Sequence, residues 1–262
     1  MNDPGIEVRT YFARGKNALV ARADFSELFA SWYLHRMDYD IVVPPACDAI
    51  GRDALAALTL HCASRPWKES CAWTVHFAEP RMNVFVAGDN ASGTVIANLF
   101  TENVKEAAQG MFYADVVEEG KPARRSVVEF SGNSFFGAVE TFYAKSEQRP
   151  ARFFWHDEED LVMVAAQPDC DVEWLESLTR EAILKLDQDV ELALLEKRSY
   201  RFACGCNNDR MLDFLAPVFR NQGDELFGGD ETIRIHCPRC GAKHLITREA
   251  LEARIKQTPA EE

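Results

Sequence analysis

The chain has 262 residues, a formal net charge of −13 and 47% hydrophobic residues. Such a chain is long enough and apolar enough for one sizeable core plus a small satellite domain, which excludes general disorder. The acidic balance holds in every region, so the cationic footprint that neutralises phosphate is missing, and no apolar run reaches membrane-spanning length. Neither a nucleic-acid nor a membrane partner is expected. Met1–Glu7 lacks the basic-then-apolar layout of a signal peptide. A cytoplasmic location follows as the expectation, with the eight cysteines as reduced thiols or metal ligands.

In chain order, the spacing predicts a hairpin from Glu7–Phe12 and Ala18–Arg22 around the turn Gly15-Lys16-Asn17. Asp24 and Ser26 offer caps for a helix through Leu28, Phe29 and Trp32, and Pro44-Pro45 breaks the chain after it. Ile50, Ala54, Leu55, Leu58 and Cys62 recur at helical steps. Cys71, Trp73, Val75 and Phe77 alternate as one face of a strand, and strands at 84–87 and 94–100 extend it into an antiparallel meander. The loop Gly88–Thr94 has some look of a phosphate loop. It lacks the lysine, and flanking strands make it a hairpin turn. A short strand at 127–130, a helix capped by Asn133 or Ser134 and stopped by Pro150, and strands at 151–155 and 161–166 follow. The acidic run Asp157–Asp160 is a solvated turn. From Trp174 to Lys197 the chain reads as a helix with an apolar stripe through Leu175, Leu178, Ala182, Leu186, Val190 and Leu194, which must dock to be stable. The tail Thr258–Glu262 is expected to fray. The expected fold class is α+β: an antiparallel-sheet core with packed helices over residues 1–172, a helical linker over 173–203, and a small C-terminal α+β domain over 204–262.

The last segment holds the most informative residues. Cys204-Gly205-Cys206 and Cys237-Pro238-Arg239-Cys240 are two tight thiol pairs separated by thirty residues. That pattern builds a tetrahedral four-sulfur zinc site. The C-x-C spacing brings the backbone at Gly205 close to the metal, which a residue without a Cβ allows. Asn207–Asp209 can cap a helix through Met211, Leu212 and Leu215 that Pro217 interrupts, and strands around Ile233–Ile235 and Lys243–Ile246 flank the second pair, with Thr247 capping a closing helix. A domain of fewer than sixty residues with so few large apolar side chains commonly needs a metal to fold. His236 adjoins Cys237, but four thiols already complete the shell. Cys47, Cys62, Cys71 and Cys170 have irregular spacings and read as small hydrophobes, and His35, His61, His76 and His156 read as structural or surface residues.

This layout resembles the Hsp33 family of redox-regulated chaperones. The matching residues are Cys204-Gly205-Cys206, Cys237-Pro238-Arg239-Cys240-Gly241 and the closing Thr247–Glu252, with Ser126–Glu129 and Glu140–Phe154 upstream. Three departures stand out: the segment from Pro168 to Cys204 is short for the family's linker, His244 stands where an aromatic residue is expected, and the first hundred residues match the family loosely. The resemblance implies a holdase, not an enzyme. Reduced protein would bind Zn2+ through Cys204, Cys206, Cys237 and Cys240. Oxidants would form a disulfide within each pair and expel the metal, and the zinc domain and linker would unfold to capture unfolding client proteins, with dimers tending to form in the active state. The alternative is a zinc-stapled protein-interaction module without redox switching. A thiol–disulfide enzyme would instead need a low-pKa thiol beside a resolving cysteine on a redox fold.

Overall fold

The helix from Pro45 to Ala63 (α2) is the axis of this computed structural model, which describes residues 5–257. Met1–Pro4 and the tail expected to fray, Thr258–Glu262, lie outside the described residues. Pro44-Pro45 separates α2 from α1 (Ser26–Asp38), as expected; Pro45 stands in the first turn, where its missing N–H leaves no bond unmade. Every residue of α2 from Ala54 to Ala63 is buried. Small side chains permit this: Ala54, Ala56, Ala57 and Ala63 let strands approach on several sides, and a Cβ on Gly51 would lie 2.5 Å from the Trp32 ring of α1.

Ten strands wrap this helix: β1 (Ile6–Ala13), β2 (Ala18–Asp24), β3 (Glu69–Phe77), β4 (Met82–Asp89), β5 (Thr94–Phe100), β6 (Gly110–Glu118), β7 (Arg124–Phe130), β8 (Ala151–Trp155), β9 (Asp160–Ala166) and β10 (Leu192–Phe202). Their order is β7-β6-β3-β4-β5-β10-β1-β2-β9-β8. All neighbours are antiparallel except β5 and β10, which run parallel over Thr94–Arg201 and Val95–Phe202. Cys71, Trp73, Val75 and Phe77 face inward on β3, as their alternation requires, and Trp73 packs against His61, Phe112, Phe135 and Phe142. Gly88–Thr94 is the β4–β5 connection. Ser134 caps α3 (Phe135–Phe142) by accepting from the Gly137 N–H. Strand β6 is not among the expected elements, although Phe112 and Ala114 alternate inward on it.

The expected helix over 174–197 is not one helix. It is three short ones, α4 (Val172–Ser177), α5 (Arg180–Leu184) and α6 (Leu186–Asp189), followed by β10. The Thr179 backbone is extended, and its hydroxyl accepts from the Ala182 N–H, so the chain stops and restarts there. Leu175, Leu178, Ile183, Leu186 and Val190 pack on Ala13, Ala18, Val20, Val162, Val164 and Ala166, which form the outer face of β1, β2 and β9. Leu194, the last member of the expected stripe, is exposed on β10. Pairing with β1 over Ile6–Tyr200 to Ala13–Leu192 overrides the local helix preference of these residues.

A second, small lobe holds α7 (Asn208–Gln222), a 3-10 turn (Gly223–Phe227), the hairpin β11 (Thr232–His236) and β12 (Lys243–Thr247), and α8 (Arg248–Gln257). Its centre is Met211, Ala216, Phe227, Ile246 and Leu251. Pro217 does not interrupt α7. It lies on the exposed side, where water can serve the carbonyl that its missing N–H leaves free. Asn207 caps α7 from its side chain to the Arg210 N–H, and Thr247 caps α8 through the Ala250 N–H.

Candidate metal centre

Both cysteine pairs stand where strands end. Cys204 and Cys206 follow β10, and Gly205 between them has φ +67°, the left-handed conformation the tight C-x-C turn demands. Cys237 and Cys240 join β11 to β12 in a knuckle in which the Gly241 N–H donates to the Cys237 carbonyl and the Cys237 N–H to the Ala242 carbonyl, both at 2.8 Å. The four Sγ atoms lie within 4.8 Å of one another. Cys204 Sγ is 3.7 Å from Cys237 Sγ, and Cys206 Sγ is 3.5 Å from Cys240 Sγ. Tetrahedral zinc with bonds of about 2.3 Å sets its sulfurs about 3.8 Å apart, so the donor set fits that ion in number, type and spacing. Among the described residues this is the one such gathering of His, Cys, Asp or Glu. His236 is not in it and is exposed.

Four thiols this close cannot all ionise alone. Hydrogen bonds from the Cys240 thiol, and then from the Cys206 N–H and the Cys237 thiol, hold Cys204 down at about 5. Burial pushes Cys206 up to about 12, and donation to Cys204 with burial pushes Cys240 far up. Without a cation, Cys204 thus ionises more readily than Cys206 or Cys240. A dication is what allows all four to ionise.

The knuckle is held against the core. Asn98 Nδ2 of β5 donates to the Pro238 carbonyl at 3.1 Å, His35 Nε2 of α1 donates to the Cys240 carbonyl at 3.0 Å, and Lys243 Nζ donates to the Asp40 carbonyl at 2.8 Å. Gly241, at φ +77°, sits so close that a Cβ would meet Ile41 Cδ1 at 2.9 Å and Asn98 Oδ1 at 3.1 Å. Tyr39 and Phe202 pack against Cys237, Cys240 and Ala242. The pairs differ in cover: Cys237 and Cys240 are 3% and 1% exposed, whereas Cys204 and Cys206 are half-buried. His244 is buried with its Nε2 3.4 Å from Cys206 Sγ and its Nδ1 3.0 Å from the Asn208 side-chain amide.

Sequence reasoning missed Asn98, His35 and His244 as parts of this site. Asn98 and His35 are 140 and 205 residues from their partners, beyond any local pattern. Of the remaining cysteines, Cys47, Cys62 and Cys71 are buried as expected, and Cys170 is partly exposed. His61 is a core residue bonded to the Tyr143 hydroxyl at 2.6 Å.

Comparisons with known proteins point to one group of proteins. The family model described as Hsp33 protein matches residues 159–247. The 33 kDa chaperonin of Edwardsiella ictaluri is 24% identical over 203 residues, covering 68% of this chain and 67% of that protein. The 33 kDa chaperonin of Escherichia coli K12 is 25% identical over 164 residues, covering 52% and 56%. The match thus spans about half to two thirds of these relatives. The crystal structure of the 33 kDa chaperonin (heat shock protein 33 homolog) from Thermotoga maritima superposes with a TM-score of 0.73 over 97% of this chain and 98% of that one, at 13% identity, which is a likeness of fold. The chain is similar to the Hsp33 family in sequence over residues 159–247 and to an Hsp33 homolog in fold.

Proposed function

We propose that this chain is a redox-regulated holdase of the cytoplasm, with Cys204, Cys206, Cys237 and Cys240 as zinc ligands. The observation that carries the reading is the convergence of four sulfurs at the joint between a lobe with a five-residue buried centre and the core it docks on. Bound zinc supplies a cross-link worth roughly 10–16 kcal/mol of folding free energy at such a site. That exceeds what so small an apolar centre contributes, so the fold of 204–262 depends on the four sulfurs staying reduced. Each pair loses two electrons to one peroxide, forming one disulfide and two waters, and the donor set is gone. The knuckle then has no shape with which to hold Asn98, His35 and Asp40.

The three regions, 1–172, 173–203 and 204–262, are the working units of this proposal. The part of 173–203 suited to release is α4–α6, whose removal bares the apolar face formed by Val20, Val162 and Val164. Strand β10 lies in mid-sheet and stays in place. Unfolding client proteins bind the bared surface, and two oxidised copies can share it as a dimer. No catalytic step is assigned. No described helix is long and apolar enough to cross a membrane. A second reading, a structural zinc staple for protein interaction without switching, draws on the burial of Cys237 and Cys240.

One experiment separates the two. Zinc release is followed while peroxide is added, with light scattering of a heat-denatured test protein measured in parallel. The holdase reading expects zinc release and suppression only after oxidation. Equal suppression by reduced and oxidised protein ends the switch, and retention of zinc through oxidation favours the staple.

A further inference from the structure

The segment that hides the outer apolar face of β1, β2 and β9 is strongly acidic: residues 171–191 hold seven carboxylates against two basic side chains. Three of those carboxylates form ion pairs with the rim of the face. Asp171 Oδ2 lies 2.9 Å from Lys16 Nζ, and Glu191 Oε1 lies 3.2 Å from Arg14 Nε, both cations standing on the turn between β1 and β2. Asp187 Oδ2 lies 3.0 Å from Arg22 Nη1 on β2. On the β8 side, Arg152 Nη1 donates to the Glu176 carbonyl at 3.0 Å. Lys16 Nζ is also 5.5 Å from the centre of the Trp174 ring, three residues after Asp171. Among the described residues, Arg14 and Lys16 pair with carboxylates of this segment alone, whereas Arg22 keeps Asp160 at 3.3 Å and Arg152 keeps Glu140 at 3.6 Å. Lifting α4–α6 therefore leaves an apolar face with two unneutralised cations on its rim.

We propose that this face selects client segments that resemble residues 171–191: apolar side chains at three- to five-residue steps, flanked by carboxylates, with an aromatic ring close after the first carboxylate. This rests on the reading of the chain as a holdase that releases α4–α6. The steps are those of Leu175, Leu178, Ile183, Leu186 and Val190, which fill the face in the closed state. Apolar contact supplies most of the docking energy. Exposed ion pairs add little to stability, but they decide which segment docks. A basic segment sets its cations against Arg14, Lys16 and Arg22, and like charges brought together cost affinity. A neutral apolar segment keeps the packing and forgoes the pairs. An acidic segment recovers both. While docked, 171–191 excludes such segments, because a tethered competitor outweighs a dilute one.

The test follows the fluorescence anisotropy of labelled peptides with the full chain opened in two ways. One is peroxide treatment. The other is the reduced double variant Leu175→Ala, Leu186→Ala, which loosens α4–α6 and leaves the four cysteines alone. The first peptide has the sequence of residues 171–191. In the second, Asp171, Asp187 and Glu191 are the matching amides, and in the third they are lysines. Physiological ionic strength screens the overall negative charge of the chain beyond about 8 Å. The first peptide is expected to bind, and the second about tenfold more weakly, which is about 1.4 kcal/mol shared by three exposed pairs. The third binds more weakly still. Adding Arg14→Glu and Lys16→Glu to the opened chain reverses the order of the first and third peptides, whereas a structural role for these two residues would weaken all three alike. Equal affinity for the first two peptides, absence of the reversal, or no binding by either opened chain overturns the assignment. An opened variant that dimerises and takes up no peptide has given the face to a second copy, and overturns it too. Peptide capture by the reduced double variant does not depend on the zinc switch, so failure of the redox reading and failure of this selectivity are told apart.

Discussion

Asn98→Ala tests how the lobe is held. Asn98 is 7% exposed in β5, and its Nδ2 donates to the Pro238 carbonyl across 3.1 Å. Among the described residues it is one of three hydrogen bonds between knuckle and core; the others come from His35 and Lys243. Deleting the side chain removes a bond worth about 1 kcal/mol net and leaves a carbonyl to be rehydrated, for a total of about 1–1.5 kcal/mol. That multiplies the undocked population by about five- to tenfold. Cys237 and Cys240 are covered while docked, so their oxidation follows the undocked population when docking is fast. Zinc release under limiting peroxide should therefore rise by the same factor. Lys243→Ala removes an exposed bond and should change the rate little, since surface substitutions are usually within about 0.5 kcal/mol. The assay is stopped-flow zinc release, with thermal unfolding of the core as the control. Release unchanged in Asn98→Ala, with the core melting as before, would refute the idea that docking covers these sulfurs.

Three further outcomes follow from the structure. Stripping the metal with a strong chelator under reducing conditions should abolish hydrogen-exchange protection over residues 204–257 while the ten-stranded sheet keeps its own; a lobe that stays protected rules out the metal as its cross-link. Burial raises the Asp53 carboxyl to about 6, against donation from Trp155 Nε1 at 3.0 Å. A carboxyl raised in the folded state binds more protons there than in the unfolded chain between about pH 4 and 6, so its contribution is full below pH 4 and is lost as pH rises through 6. Asp53→Asn should therefore gain about 3 kcal/mol at pH 7 and nothing at pH 4 in urea titrations; a gain independent of pH contradicts the assignment. Leu175→Ala should cost about 2–4 kcal/mol in the cluster beneath α4–α6 and make the reduced protein bind a hydrophobic dye; an unchanged dye signal removes that face from the proposal.

The four cysteines were legible from spacing alone, because a metal imposes its geometry on nearby residues and leaves a local pattern. Strands and hairpins followed from side-chain alternation, as at Cys71–Phe77, and Asn207, Ser134 and Thr247 cap their helices within three residues of themselves. Where the deciding partner is distant, local reading failed. The run after Val190 has helix-forming residues, but β1 captures it as a central strand. Pro217 reads as a helix end, but its exposed position makes the lost bond cheap.

Sequence alone determined that four thiols stand in the spacing of a metal site, which chain segments carry them, and that the lobe around them has few large apolar side chains, since thiol spacing and apolar content are local or compositional quantities. Only the tertiary structure decided that the knuckle rests on Asn98, His35 and Asp40, that one sulfur pair is covered and the other half open, and that His244 reaches Cys206. Those contacts join residues that covalent connectivity leaves far apart, and the packing of β5, α1 and β10 around α2 is what brings them within bonding distance.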